Sequence, residues 1–148
     1  MVSYSPVNLD EHKSDTLIVH CCDPRFQHAY EQAAHQTSAF YDLMSVPGAS
    51  KAIAENSSVI KNIKMLHRLH NFKEVHIMDH VDCGAFGKVN DEIETHSKYL
   101  HLAEKKINKA LPTLTVVSHI FGDSKELNVK KSQQPAGRIR LISRLHRA

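Results

Sequence analysis

Apolar positions along this chain keep two rhythms that alternate. "TLIVH", residues 16–20, is a short β-branched run bounded by "CC" and the turn-forming Asp23-Pro24, and it reads as a buried strand. Phe26, Tyr30, Ala33 and Thr37 then recur at helical spacing, in a helix expected to be capped by Asp23 with Pro24 at its first position. "FYDLMSV" (40–46) is a second strand, stopped by Pro47-Gly48. One long helix is expected from Ser50 to Asn71, with Val59, Ile63, Leu66 and Leu69 along one face. "EVHIMDH" (74–80) is a third strand, and the glycine-containing turn "DCGAFG" follows it. Asn90 or Asp91 opens another helix, whose Ile93, Leu100, Ala103, Ile107 and Ala110 share a face until Pro112 ends it. "LTVVSHIFG" (114–122) is a fourth strand, and "KELNVK" (125–130) reads as a short edge strand.

Strands alternating with helices predict an α/β domain. Its core is a mainly parallel sheet of about four strands plus that edge strand, flanked by helices. Residues 1–15 are polar and expected to form a loose N-terminal arm, residues 16–131 the domain, and residues 132–148 a basic C-terminal tail. The tail ends in "GRIRLISRLHRA", four arginines without an acid. A solvated extension is the expectation there, with a basic amphipathic helix against a membrane or acidic partner as the rival.

Composition narrows the class. A chain of 148 residues with 41% hydrophobic and 24% charged residues is ordinary for one soluble domain. A net charge of +3 is too small to argue for nucleic acid. The early apolar run is too short for a signal peptide or a membrane span, so a cytoplasmic location is expected, with no membrane and no nucleic-acid partner. Three cysteines cannot all pair within one chain, and there are 12 histidines. In a reducing compartment that balance favours metal binding or catalysis over a disulfide framework.

In parallel sheets, sites form outside the carboxyl ends of the strands. Cys21 and Cys22 close the first strand, and His80 and Cys83 stand at and just past the end of the third. Alternation puts Cys21 and Asp23 on one side and leaves Cys22 facing the core. Cys21, His80 and Cys83 would make a Cys2His set, the three-ligand count of a catalytic zinc site. Each residue has a plainer reading: a buried small hydrophobe for either cysteine, a helix cap for Asp23, a solvated arginine for Arg25, a hydrogen-bonded core histidine for His80. The set is more telling than its members, because the predicted fold brings separate segments to one edge.

"CCDPR", a Cys-x-Asp-x-Arg pattern, followed 54 residues after Arg25 by "DHVDCG", a His-x-x-Cys-Gly pattern, resembles the β-class carbonic anhydrases over about Thr16 to Lys130. "YDLMSVPGA" lies where that family has a strand and a glycine turn, and "SHIFGDSKELNV" is similar to its closing segment. The resemblance implies one Zn²⁺ per chain held by Cys21, His80 and Cys83, with Asp23 and Arg25 as the catalytic dyad. It also implies a homodimer or larger homo-oligomer, and the reversible hydration of CO2 to bicarbonate by zinc-bound hydroxide that the dyad orients. Gly48 and Gly84 would border the substrate, and Cys22 falls on a variable position. Two thiolates neutralise Zn²⁺, which makes a group that orients its water the more important. Arg25 can hold Asp23 in a bidentate pair and keep it from closing the metal as a fourth ligand. The chain departs from the family where Ser45-Val46-Pro47-Gly48 stands for Arg-Asn-Ala-Gly and where the N-terminal arm is short.

Rival readings use the same residues. The zinc site could hydrolyse another small heterocumulene, CS2 or COS. It could be non-catalytic and redox-sensing, with Cys22 as a resolving thiol. Or Cys21 or Cys83 could be a metal-free nucleophile with His80 as base, which predicts full activity after exhaustive chelation.

Overall fold

The computed structural model describes residues 12–122 and the backbone of residues 139–143. Its strands are β1 (Thr16–His20), β2 (Tyr41–Ser45), β3 (Glu74–His80), β4 (Thr115–Gly122) and β5 (Ile139–Ser143). Its helices are α1 (Gln27–Thr37), α2 (Ser50–Glu55), α3 (Ser57–His70) and α4 (Glu92–Ala110). The strands form one parallel sheet in the order β2-β1-β3-β4-β5. β1 and β3, which carry the two cysteine motifs, are therefore adjacent, with His20 beside Met78 and His80 beside Phe121.

Period-2 alternation divides the strand residues between two cores. Leu17, Val19, Val75 and Ile77 pack with Ile53, Val59, Ile63, Leu100, Ala103 and Ile107 in the larger one, against α2, α3 and α4. Ile18, Met78 and Phe121 pack with Phe26, Tyr30, Ala33 and Ala34 against α1. The parity continues to the strand end and decides the site. Asp79 follows Val75 and Ile77 toward the α2–α4 side, and His80 follows Met78 toward α1. Among the described residues no helix is long and apolar enough to cross a membrane.

Several sequence expectations shift. α1 begins at Gln27 rather than at Pro24: Asp23 Oδ1 accepts the Arg25 backbone N–H, but residues 24–26 form a turn, and Phe26, the residue at the N-cap of α1, gives it no side-chain cap. The expected helix from Ser50 to Asn71 is two helices. Asn56 breaks it at extended φ and ψ, and its side chain accepts the Ser58 N–H to start α3. Leu69, placed on the buried face, is 53% exposed. Cys22 is exposed and not core-facing, since β1 stops at His20 and the strand alternation that would have buried it stops there too. "KELNVK" lies outside the described residues. Among the described residues the fifth strand is Ile139–Ser143, within the segment read as a solvated tail; its backbone pairs with β4.

Candidate metal centre

The site is built where β1 and β3 end. Cys21 follows directly on β1, His80 is the last residue of β3, and Cys83 sits in the turn after it. The three side chains are buried, and their donor atoms all lie within 4.8 Å of one another. The two Sγ atoms are 3.8 Å apart. The His80 Nδ1–H donates to the Val81 carbonyl at 2.7 Å, and the ring is stacked on Phe26 with centroids 4.5 Å apart. Those contacts fix the tautomer and the ring plane, which leaves Nε2 facing the sulfurs. Nε2 is buried and has no hydrogen-bond partner among the described residues. A buried nitrogen in that condition is costly unless something fills its lone pair.

Donor chemistry matches a zinc ion: two sulfurs and one imidazole nitrogen are the ligands of a three-residue catalytic site. The electrostatics prepare it. Cys83 beside it holds the Cys21 thiol well below the usual thiol range, against its burial, helped by His80 and by the Gly48 N–H, which donates to Cys21 Sγ at 3.3 Å. Cys21 in turn pushes Cys83 up, and burial adds to this. The pair thus gives up one proton readily and holds the second. Burial alone pulls His80 down, yet its contacts with Cys21 and Val81 outweigh that and raise it. Ligation by all three displaces protons, so metal affinity should fall as the solution is acidified.

Asp23 stands at the mouth. Its Oδ2 lies 3.8 Å from His80 Nε2, yet the carboxylate is engaged by Arg25. Arg25 Nη2 donates to Oδ2 at 2.8 Å, Nε to Oδ1 at 3.1 Å, and the Arg25 backbone N–H to Oδ1 at 2.9 Å. The same guanidinium reaches the β3 turn, with Nη1 on Asp82 Oδ2 and Nη2 on the Asp82 carbonyl, both at 2.9 Å. Asp82 sits at φ +54 with its N–H on Glu92. Arg25 therefore ties the loop after β1 to the loop after β3, one on each side of the sulfur pair.

Arg25 holds the Asp23 carboxyl down at about 2. A depressed folded pKa stabilises the fold above the ordinary carboxylate value near 3.9, and that contribution is lost as the pH falls toward about 2. An NMR titration of the Asp23 carboxyl should accordingly find it ionised at pH 3, and Arg25→Ala should move its midpoint up toward the ordinary value. An unmoved midpoint in Arg25→Ala would show that the guanidinium is not what holds the carboxylate.

All five residues expected at the centre from the sequence lie at this one place. Gly48 is there too: φ is +76, and a Cβ would meet that of Ala85 at 2.9 Å, so only glycine brings this N–H onto Cys21. Gly84 sits beside open space, since a Cβ there would meet nothing within 4 Å. Sequence reasoning missed Asp82 and Phe26. Their roles are set by long-range geometry, and no local spacing announces them. It also passed over Asp79, although an acid inside the apolar run "VHIM-D-H" was a readable signal.

A parallel α/β sheet with a buried Cys2His group at its carboxyl edge defines the class: an α/β protein with a metal-capable centre. The chain belongs to the family described as "Putative carbonic anhydrase", whose sequence profile matches residues 11–131. An uncharacterized protein of Rickettsia bellii is 28% identical over 127 residues, covering 74% of this chain and 77% of that one. One from Rickettsia conorii is 26% identical, covering 74% and 68%. The fold resembles a crystal structure of a carbonic anhydrase from Streptococcus mutans, with TM-score 0.55, 16% identity and coverage of 81% and 82%. It also resembles β-carbonic anhydrase isoform I of Trichomonas vaginalis, with TM-score 0.57, 12% identity and the same coverage.

Proposed function

We propose that this protein is a zinc lyase that hydrates CO2 reversibly to bicarbonate, with zinc on Cys21, His80 and Cys83 and with Asp23 and Arg25 as the catalytic dyad. The observation that carries the reading is the state of Asp23. Its carboxylate stands 3.8 Å from His80 Nε2 while Arg25 occupies both its oxygens, so it borders the metal group without belonging to it. Zinc, when bound, supplies Lewis acidity that makes water nucleophilic near neutral pH.

The chain's own part is orientation. The Asp23 carboxylate accepts a hydrogen bond from the attacking water, which leaves a lone pair on the water oxygen aimed at the substrate carbon. Arg25, fixed to Asp82 as well as to Asp23, stops the carboxylate from swinging inward and closing the site. Buried walls from Phe26, Val81 and Cys83 exclude bulk water from the inner side. A homodimer is part of the proposal: β2 is an edge strand, and Phe40 and Leu43 on and beside it are each 58% exposed.

Purified protein tests the reading directly. CO2 hydration should be fast by stopped-flow, vanish when a chelator strips the metal, and return with added zinc. COS and CS2 hydrolysis run on the same preparation separate the substrates. Zinc-replete protein that leaves CO2 hydration at the background rate would overturn the proposal, and so would activity that survives chelation.

A further inference from the structure

Behind the centre, on the α2–α4 side of the sheet, a carboxylate is buried with no arginine or lysine among the described residues bonded to it. Asp79 is 1% exposed, and it accepts three hydrogen bonds. Its Oδ1 takes the Ser50 backbone N–H at 2.9 Å; its Oδ2 takes the Ser50 hydroxyl and the His96 Nδ1–H, the last at 2.7 Å. Ser50 and His96 are themselves buried, 0% and 1% exposed. A polar network inside an apolar core is expensive to bury unless its groups are paired, and here both Asp79 oxygens, the Ser50 N–H and hydroxyl and His96 Nδ1 are paired with one another.

Each partner of Asp79 controls a different part of the centre. Ser50 follows Gly48 and Ala49, a pair at φ +76 and +33. Ala49 is a residue with a side chain in a region that L residues seldom adopt, so this turn persists only if its far end is anchored. The anchor is the double hydrogen bond from Ser50 to Asp79. What the turn presents is the Gly48 N–H, at 3.3 Å from Cys21 Sγ. His96, on α4, packs its ring 4.2 Å from that of Phe86, and the Phe86 N–H closes the Cys83 turn by donating to the Cys83 carbonyl at 3.1 Å. Asp79 itself is the residue before His80. One carboxylate thus fastens the surroundings of all three metal-capable side chains.

We propose that Asp79, with Ser50 and His96, is a positioning device for the metal centre: it holds the strained Gly48-Ala49 turn so that the Gly48 N–H bonds the Cys21 sulfur, and it sets the Cys83 turn through Phe86. This rests on the reading of Cys21, His80 and Cys83 as zinc ligands. An N–H directed at a ligand sulfur disperses its negative charge and fixes its lone pairs, and outer partners of this kind typically change metal affinity by about 10–100-fold.

Three variants of the full chain test it by zinc competition against a chromophoric chelator and by the visible spectrum of the cobalt-substituted protein. Ser50→Ala removes one arm and Asp79→Asn disturbs all of them. Ile107→Val trims the larger core on α4 away from the network and serves as a control of stability alone. Ser50→Ala and Asp79→Asn should weaken zinc binding per folded molecule by about 10-fold or more, with an altered cobalt–thiolate band. Ile107→Val should lower the melting temperature and leave affinity and spectrum as in the wild type. Should Asp79→Asn fail to fold, Ser50→Ala decides. If Ser50→Ala binds zinc as tightly as the wild type with the same spectrum, the network only supports the fold and the inference is wrong. If the wild type binds no zinc, the ligand reading falls first and takes this inference with it.

Discussion

Cys21→Ser should empty the proposed zinc site, and Cys22→Ser should leave it full. The two residues are neighbours in sequence, and their expected difference comes from position alone. Cys21 is buried with its Sγ 3.8 Å from that of Cys83, and Cys22 is exposed and outside the metal-capable group. A serine hydroxyl at Cys21 would have to lose its proton to serve as an anionic ligand, at a far higher pKa than a thiol, so only Cys83 and His80 would remain as strong donors, one fewer than a three-ligand site needs. Zinc per chain, measured after dialysis against a mild chelator, should be near 1 for the wild type and Cys22→Ser and below about 0.1 for Cys21→Ser. The reverse pattern would mean that the register of the whole centre is wrong.

Next in size is the effect of breaking the dyad. Asp23→Asn keeps the shape and removes the acceptor oxygen facing the water, so CO2 hydration should drop by about 100-fold or more, the range lost with a positioned proton-handling group. Zinc content should not change, because Asp23 is not a ligand in this arrangement. Arg25→Ala is the more discriminating variant. It frees the Asp23 carboxylate, whose Oδ2 is already 3.8 Å from His80 Nε2, to turn onto the metal, and it cuts the bridge to Asp82. Activity should then be lost with zinc retained. Near-normal turnover in Arg25→Ala would show that the guanidinium only joins the two loops and does not govern the carboxylate.

Much of this was legible in the chain itself. Apolar runs and helical periods announced β1 to β4 and the long helix α4, whose start was legible as Asn90 or Asp91 and is Asp91 in the structure. The Cys-x-Asp-x-Arg and His-x-x-Cys patterns named the candidate side chains. The places where sequence reading missed share a cause: local signals competed, and a distant partner decided between them. Asp23 has the form of a helix cap and does accept the Arg25 N–H, but its carboxylate also takes the Arg25 guanidinium, residues 24–26 form a turn, and α1 starts only at Gln27. Asn56 looks unremarkable inside a helical period, yet its side chain caps a new helix. β5 is invisible as a strand because Arg140 interrupts its apolar residues within an arginine-rich tail, and only the open edge of β4 gives it a partner.

What the sequence determined by itself is the alternation of β1 to β4 with helices, the parallel sheet they build and the identities of the candidate donor atoms, since periodicity and residue chemistry are local properties. What only the tertiary structure decided is who faces whom. Side-chain parity along β3 sends His80 toward Cys21 and Asp79 into the opposite core. The end of β1 turns Cys22 out to solvent, and a strained glycine turn brings a backbone N–H onto the Cys21 sulfur. Those outcomes depend on contacts between residues far apart in the chain, whose geometry is fixed only when both sides of the sheet are packed.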